Sequence, residues 1–217
     1  MRLRACRYLD EFPAETARAL RDTYADLDVY PVAADFTEPF ALPLELADAP
    51  KIGFFPGSTI GNLPRAEAVA LLRAARRWTG ATSFVLGADL VRDPAELVAA
   101  YDDAQGVTAA FIGNVLHRLR EEAGVDVDPR TFTYRATWDA PRSRIDMELV
   151  SRAAQVIDLA GTPVRFDAGE AIHVSASRKF TPATLEALAR DGGWRAQEVR
   201  TDPHARFAVA FLVPDLT

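Results

Sequence analysis

Among its 217 residues the chain has a single cysteine, Cys6, and three histidines. One thiol cannot build an internal disulfide framework or a cysteine-rich zinc site. Cys6 falls in a predicted buried strand and reads as a small apolar core residue rather than a nucleophile. His117, His173 and His204 lie far apart, and none has paired metal-ligand spacing. Glycine is absent before Gly53, so no glycine-rich phosphate or cofactor loop precedes Asp10. There is no GxxxxGK[ST] loop, and FPGSTIGN has a serine but not the second glycine of a nucleophile elbow. Hydrolase and nucleotide-hydrolysing chemistries are therefore poor fits. No apolar run approaches the roughly 18 residues of a membrane span, and MRLRACRYLDEF has charges but no signal-peptide core. Excess positive charge is missing too: the net charge is −6, which argues against a nucleic-acid partner. A cytoplasmic, small-molecule-directed globular protein is the class these absences leave.

What is present centres on KIGFFPGSTIGN, residues 51–62. An apolar strand runs into a Gly/Ser/Thr turn, and a helix opens at Pro64. In open α/β sheets ligands bind outside the carboxyl ends of the strands, where turns line a crevice. Strands are expected at 3–9, 27–36, 51–55 and 82–90, with helices at 13–24 and 64–77 between them. Strands alternating with helices imply a mostly parallel sheet. Two helices follow, 93–101 and 108–122, separated at Gly106. Period-two segments at 131–138, 143–158 and 170–180 then read as antiparallel strands. A helix at 181–191, with Thr181 as its cap, precedes a closing hairpin-like pair. The expected architecture is an α/β sheet domain (1–92 and 192–217) carrying an α+β insert (93–191).

Several residues could carry chemistry. Asp10 ends a predicted strand where nucleoside-binding sheets place a carboxylate on the ribose hydroxyls; a turn aspartate without function is the equal alternative. Asp35 beside Phe36 offers an acceptor for an adenine amino group and a ring to stack on it, or an Asx-turn and a core phenylalanine. Asn62 precedes Leu-Pro-Arg-Ala-Glu and reads as a helix N-cap, or as an amide orienting a polar substrate. His173, Ser175, Ser177 and Lys179 share one face of a strand, which is either solvated or lines a cleft. Tyr101 ends an amphipathic helix as a half-buried tyrosine with a wet hydroxyl.

Taken together, FFPGSTIGNLP, GADLVRDPAELVAAYDDAQGVTAAFIGNVL, RIDMELVS and VSASRKF resemble the histidine-specific SAM-dependent methyltransferases. This is the family of the ergothioneine-pathway histidine Nα-methyltransferase. The resemblance covers nearly the whole chain. It implies a Rossmann-like methyltransferase sheet with a substrate domain, S-adenosyl-L-methionine as cofactor and an amino acid as substrate. By resemblance Asp10 binds ribose, and Asp35 with Phe36 contacts adenine. Asn62 holds the substrate α-amine, with Gly57 in the approach turn, and Tyr101 takes the substrate carboxylate. Met147 and Ser177 form a wall and a polar contact around the substrate side chain. The implied reaction is direct attack of the neutral α-amine on the sulfonium methyl group, catalysed mostly by positioning.

Two departures shape further expectations. The family's amino-terminal third, with its glycine-rich loop, has no counterpart here, and the sheet begins at what should be its second strand. The competing expectation is an inactive fragment, or one half of a split enzyme that a partner chain completes. A truncated sheet would expose an edge and apolar faces, favouring a protein partner or self-association. The family also carries a glutamate two residues before the serine of the S-x-K-[FY] end, where this chain has Ser175. A carboxylate can pair with an imidazole N–H, whereas a hydroxyl only hydrogen-bonds. The grip on an amino-acid backbone should persist while side-chain preference relaxes.

Overall fold

The computed structural model describes residues 8–35, 42–47 and 49–216. Its elements are α1 (Tyr8–Thr23), β1 (Lys51–Phe55), α2 (Arg65–Arg76), β2 (Ala81–Asp89), α3 (Pro94–Tyr101), α4 (Val107–Ala123), β3 (Phe132–Asp139), β4 (Arg144–Ser151), β5 (Gln155–Leu159), β6 (Thr162–Phe166), β7 (Ala171–Arg178), α5 (Pro182–Asp191), β8 (Trp194–Thr201) and β9 (Phe207–Pro214).

The first sheet has the order β1-β2-β9-β8. β1 and β2 are parallel, and β9 enters antiparallel between β2 and β8. Both parallel strands therefore end on one edge, at Phe55 and Asp89. One face is covered by α2 and α5, whose Leu71, Leu72, Leu185, Leu188 and Ala189 bury with Phe84, Leu86, Ala210 and Leu212. Sequence reading puts α5 in the insert, yet its apolar stripe belongs to this core. Thr181 does cap α5: its hydroxyl and that of Thr184 exchange bonds with each other's backbone N–H in a capping box. On the other face Ile52 and Phe54 of β1 are 66% and 70% exposed.

The second sheet, β3-β4-β7, is antiparallel throughout. Its core joins Ile145, Met147 and Leu149 to Leu97 of α3 and to Ile112 and Leu116 of α4. The expected single strand 143–158 is two strands, because the chain leaves the sheet at 152–154. β5 then pairs with β6 across a two-residue loop, Ala160 and Gly161, both at positive φ. Sequence reading missed β6, whose Pro163 reads against a strand but is tolerated in a two-stranded ribbon.

Two expected strands do not form where they are described. Residues 3–7 of the first lie outside the described residues, while Tyr8–Asp10 open α1. Residues 27–35 of the second carry no strand pairing. A helix satisfies its backbone internally, but a strand needs a neighbour. Among the described residues β1 pairs only with β2, so nothing extends the sheet beyond β1. Pro31 also removes one ladder donor from the second segment.

Candidate functional site

The turn after β1 is shaped by two consecutive left-handed residues, Gly57 (φ 72°) and Ser58 (φ 59°). The Ser58 hydroxyl accepts the Asp89 backbone N–H at 2.9 Å, tying this turn to the end of β2. A 3₁₀ turn over Thr59–Asn62 follows. Gly61 lets it lie directly on β7: a Cβ there would sit 2.5 Å from the Arg178 carbonyl oxygen. Asn62 is therefore delivered to the end of β7. It does not cap α2, whose N-cap is Pro64 without a side-chain bond. The proline at position 64 displaces the helix start beyond the reach of the Asn62 amide. Asn62 is exposed and its side chain makes no hydrogen bond among the described residues, so its amide is open to a ligand.

Tyr101 is placed by α3, which Asp93 caps by accepting the Ala95 and Glu96 N–H groups at 2.7 and 3.4 Å. The Tyr134 hydroxyl donates to the Tyr101 carbonyl at 3.0 Å and pins the end of α3 to β3. Burial, helped by the nearby Asp102 charge, pushes the Tyr134 phenol up to about 12, so it stays a donor at any ordinary pH. After Gly106 turns the chain (φ 69°), the Asp103 carboxylate accepts the Val107 and Thr108 N–H groups at 3.0 and 2.9 Å. These bonds hold its pKa down at about 2. A lowered pKa means the carboxylate stabilises the fold above its unfolded value near 3.8, and that this contribution disappears as pH falls through about 2. Asp103→Ala is accordingly expected to lower the melting temperature at pH 7. The gap from wild type should close between pH 3.8 and about 2 in circular-dichroism melts. A gap that is constant with pH would show that this carboxylate does not anchor α4.

The third wall comes from β4 and β7. Ser175 pairs with Met147 and Ser177 with Ile145, so all four point to the α3/α4 side. The expectation that His173 shares this face is wrong. A bulge between the Met147 and Glu148 pairs adds Val174 to β7 and reverses the alternation below it. His173 instead meets Asp146 at 2.9 Å on the outer face.

A cavity of about 250 Å³ opens where these pieces meet, lined by Gly57, Ser58, Asn62, Tyr101, Thr108, Phe111, Ile112, Met147, Ser175 and Ser177. All six residues expected to bind a substrate thus line one space, although they come from four separate segments. The Tyr101 hydroxyl lies 2.8 Å from the Ser177 hydroxyl. Beneath them is a group whose role sequence reading missed: Lys179, fully buried, with its ammonium 2.6 Å from Asp89. Its only sequence signal was a lysine on the polar face of an otherwise core-bound strand end.

Of the residues expected to hold a cofactor, the backbone of Asp10 and residue Asp35 are described. Asp10 lies within helix α1 and does not end a strand. Asp35 follows an unpaired segment rather than a strand, and Phe36 lies outside the described residues. No helix among the described residues is long and apolar enough to cross a membrane.

Comparison with known proteins adds what this geometry alone does not carry. Residues 10–214 match the family described as histidine-specific methyltransferase, SAM-dependent. The chain is 37% identical over 204 residues to the histidine N-alpha-methyltransferase of Mycolicibacterium smegmatis, covering 90% of this chain and 61% of that protein. It is 35% identical over 204 residues to the protein of the same name from Mycobacterium tuberculosis, with the same coverage. The chain therefore spans about 61% of the length of these curated relatives. Among solved structures it is similar to the CcbJ methyltransferase from Streptomyces caelestis, at 17% identity and a TM-score of 0.49, over 95% of this chain and 75% of that one.

Proposed function

We propose a function from one premise: the chain belongs to the histidine-specific, SAM-dependent methyltransferase family. On that premise the cavity between the two sheets holds histidine or a related amino acid for N-methylation of its α-amine, in ergothioneine biosynthesis. The observation that carries the reading is the meeting of Gly57, Asn62, Tyr101, Met147, Ser175 and Ser177 around one space. A volume of about 250 Å³ suits an amino acid and is too small for a macromolecular segment.

S-adenosyl-L-methionine would supply the methyl group. The geometry that supports the reading is that of the amino-acid cavity. An ammonium has no lone pair, so the amine must be held as the free base. The Asn62 carbonyl oxygen can accept one amine N–H and so orient the lone pair, while the polar pair Tyr101 and Ser177 lines the same cavity. Met147 and Ile112 give the apolar wall. The contribution of these residues is positioning, which in favourable cases is worth roughly 7–11 kcal/mol of barrier.

A second reading is that another polypeptide completes the sheet. It is supported by the β1 edge, which has no outer partner among the described residues and leaves Ile52 and Phe54 exposed. Both readings share the amino-acid cavity.

The test is calorimetric titration of the chain with L-histidine, then mass spectrometry of the amino acid after incubation with S-adenosyl-L-methionine. Histidine should bind, and Asn62→Ala should weaken it by roughly tenfold, the value of a hydrogen bond to a polar group left unmet. Methylation by the chain alone supports the first reading; methylation only on adding a second polypeptide supports the second. A wild-type chain to which no amino acid binds overturns both.

A further inference from the structure

The Tyr101 and Ser177 hydroxyls rest on a buried cation that the proposed function does not use. The Lys179 side chain is 0% exposed. Its ammonium donates to the Tyr101 hydroxyl at 2.6 Å and to the Ser177 hydroxyl at 3.0 Å, and pairs with Asp89 at 2.6 Å. Those three bonds use all three of its hydrogens. It also lies 4.5 Å from the centre of the Tyr101 ring. Asp89 is shared with Arg92 at 2.8 Å, so one carboxylate serves two cations and the Lys179 charge is not neutralised one for one.

The two hydroxyls hold two protons. One lies between their oxygens, which are 2.8 Å apart. The other has no partner among the described residues, and both residues line the cavity. Whichever oxygen carries it, Lys179 already donates to both, so the pair has one O–H left to give. A ligand N–H or cation placed there would leave that O–H unpaired and would face the ammonium behind it.

We propose that Lys179 is a positioning residue that fixes the Tyr101–Ser177 pair as a single hydrogen-bond donor. The ligand group at that place is then an acceptor, either a carboxylate oxygen or an unprotonated ring nitrogen. The inference rests on the reading that an amino acid occupies the cavity. It adds a polarity to that cavity, and with it a rule for which end or tautomer of the amino acid is accepted.

The experiment titrates three probes into the full chain by calorimetry: L-histidine, L-phenylalanine, which has the carboxylate but no ring acceptor, and histamine, which has the ring acceptor but no carboxylate. Lys179→Met is expected to weaken the acceptor-bearing probes by roughly tenfold or more, as for a charge-assisted hydrogen bond. If the acceptor is the carboxylate, histidine and phenylalanine weaken and histamine does not. If it is the ring nitrogen, histidine and histamine weaken and phenylalanine does not. Ser177→Thr keeps a hydroxyl and should keep affinity for all three. Should Lys179→Met fail to fold, the double variant Tyr101→Phe/Ser177→Ala removes both protons and should give the same selective loss. Equal weakening of all three probes would mark Lys179 as merely structural and overturn the inference, as would no change at all. A wild-type chain that binds none of the three sinks the amino-acid reading, and this inference falls with it.

Discussion

Replacing Trp194 with alanine is expected to lower the unfolding free energy by about 3–5 kcal/mol. Trp194 opens β8 and is 1% exposed. Its ring lies 5.6 Å from that of Phe84 on β2, tilted by 52°. Its indole N–H donates to the Leu72 carbonyl of α2 at 2.9 Å. One side chain thus ties the last strands to both the first helix of the core and the central strand. Truncation removes the largest fully buried side chain among the described residues, and α2 cannot close the gap. Trp194→Phe keeps much of the ring contact and loses the N–H bond, at a cost nearer 1 kcal/mol plus a small void. Urea unfolding followed by circular dichroism reads both. An alanine variant within about 1 kcal/mol of wild type, with unchanged denaturant slope, would mean that this joint does not hold the core together.

Ser175→Glu is expected to raise the preference for histidine over an apolar aromatic amino acid by roughly ten- to a hundredfold, the range of a charge-assisted hydrogen bond. Ser175 pairs with Met147 across β4 and β7 and lines the cavity. Its hydroxyl makes no hydrogen bond among the described residues, so substitution breaks nothing in the network of Lys179. A glutamate at this place can pair with an imidazole N–H and gains nothing from phenylalanine. The grip of Asn62 on the α-amine should be untouched. Affinities of L-histidine and L-phenylalanine for wild type and variant check it by calorimetry. An unchanged ratio would mean that β7 does not face the substrate side chain, and the placement of Ser175 in the site would have to be abandoned.

The sequence by itself determined much of the second half of the chain. The period-two alternation of 131–138 and 170–180, the Thr181 cap and the Gly57 turn all reappear in place. These signals are local: a pleat, a cap and a left-handed turn each depend on a few adjacent residues. The same locality made Gly57, Asn62, Tyr101, Met147, Ser175 and Ser177 nameable one at a time, through their resemblance to the family.

Tertiary structure alone decided what those residues do together. Asn62 has a capping sequence but is drawn to β7 by Gly61, and no periodicity in 51–77 encodes that contact. His173 left the shared face because of a bulge, which depends on the register of a partner strand. Lys179 became the buried centre of a three-partner network because the ends of α3, β2 and β7 converge, a relation between residues far apart in sequence. Asp10 and Asp35 show the reverse case. Their segments have strand composition, but a strand exists only when a neighbour completes its hydrogen bonds, and among the described residues β1 has no such neighbour on its outer edge.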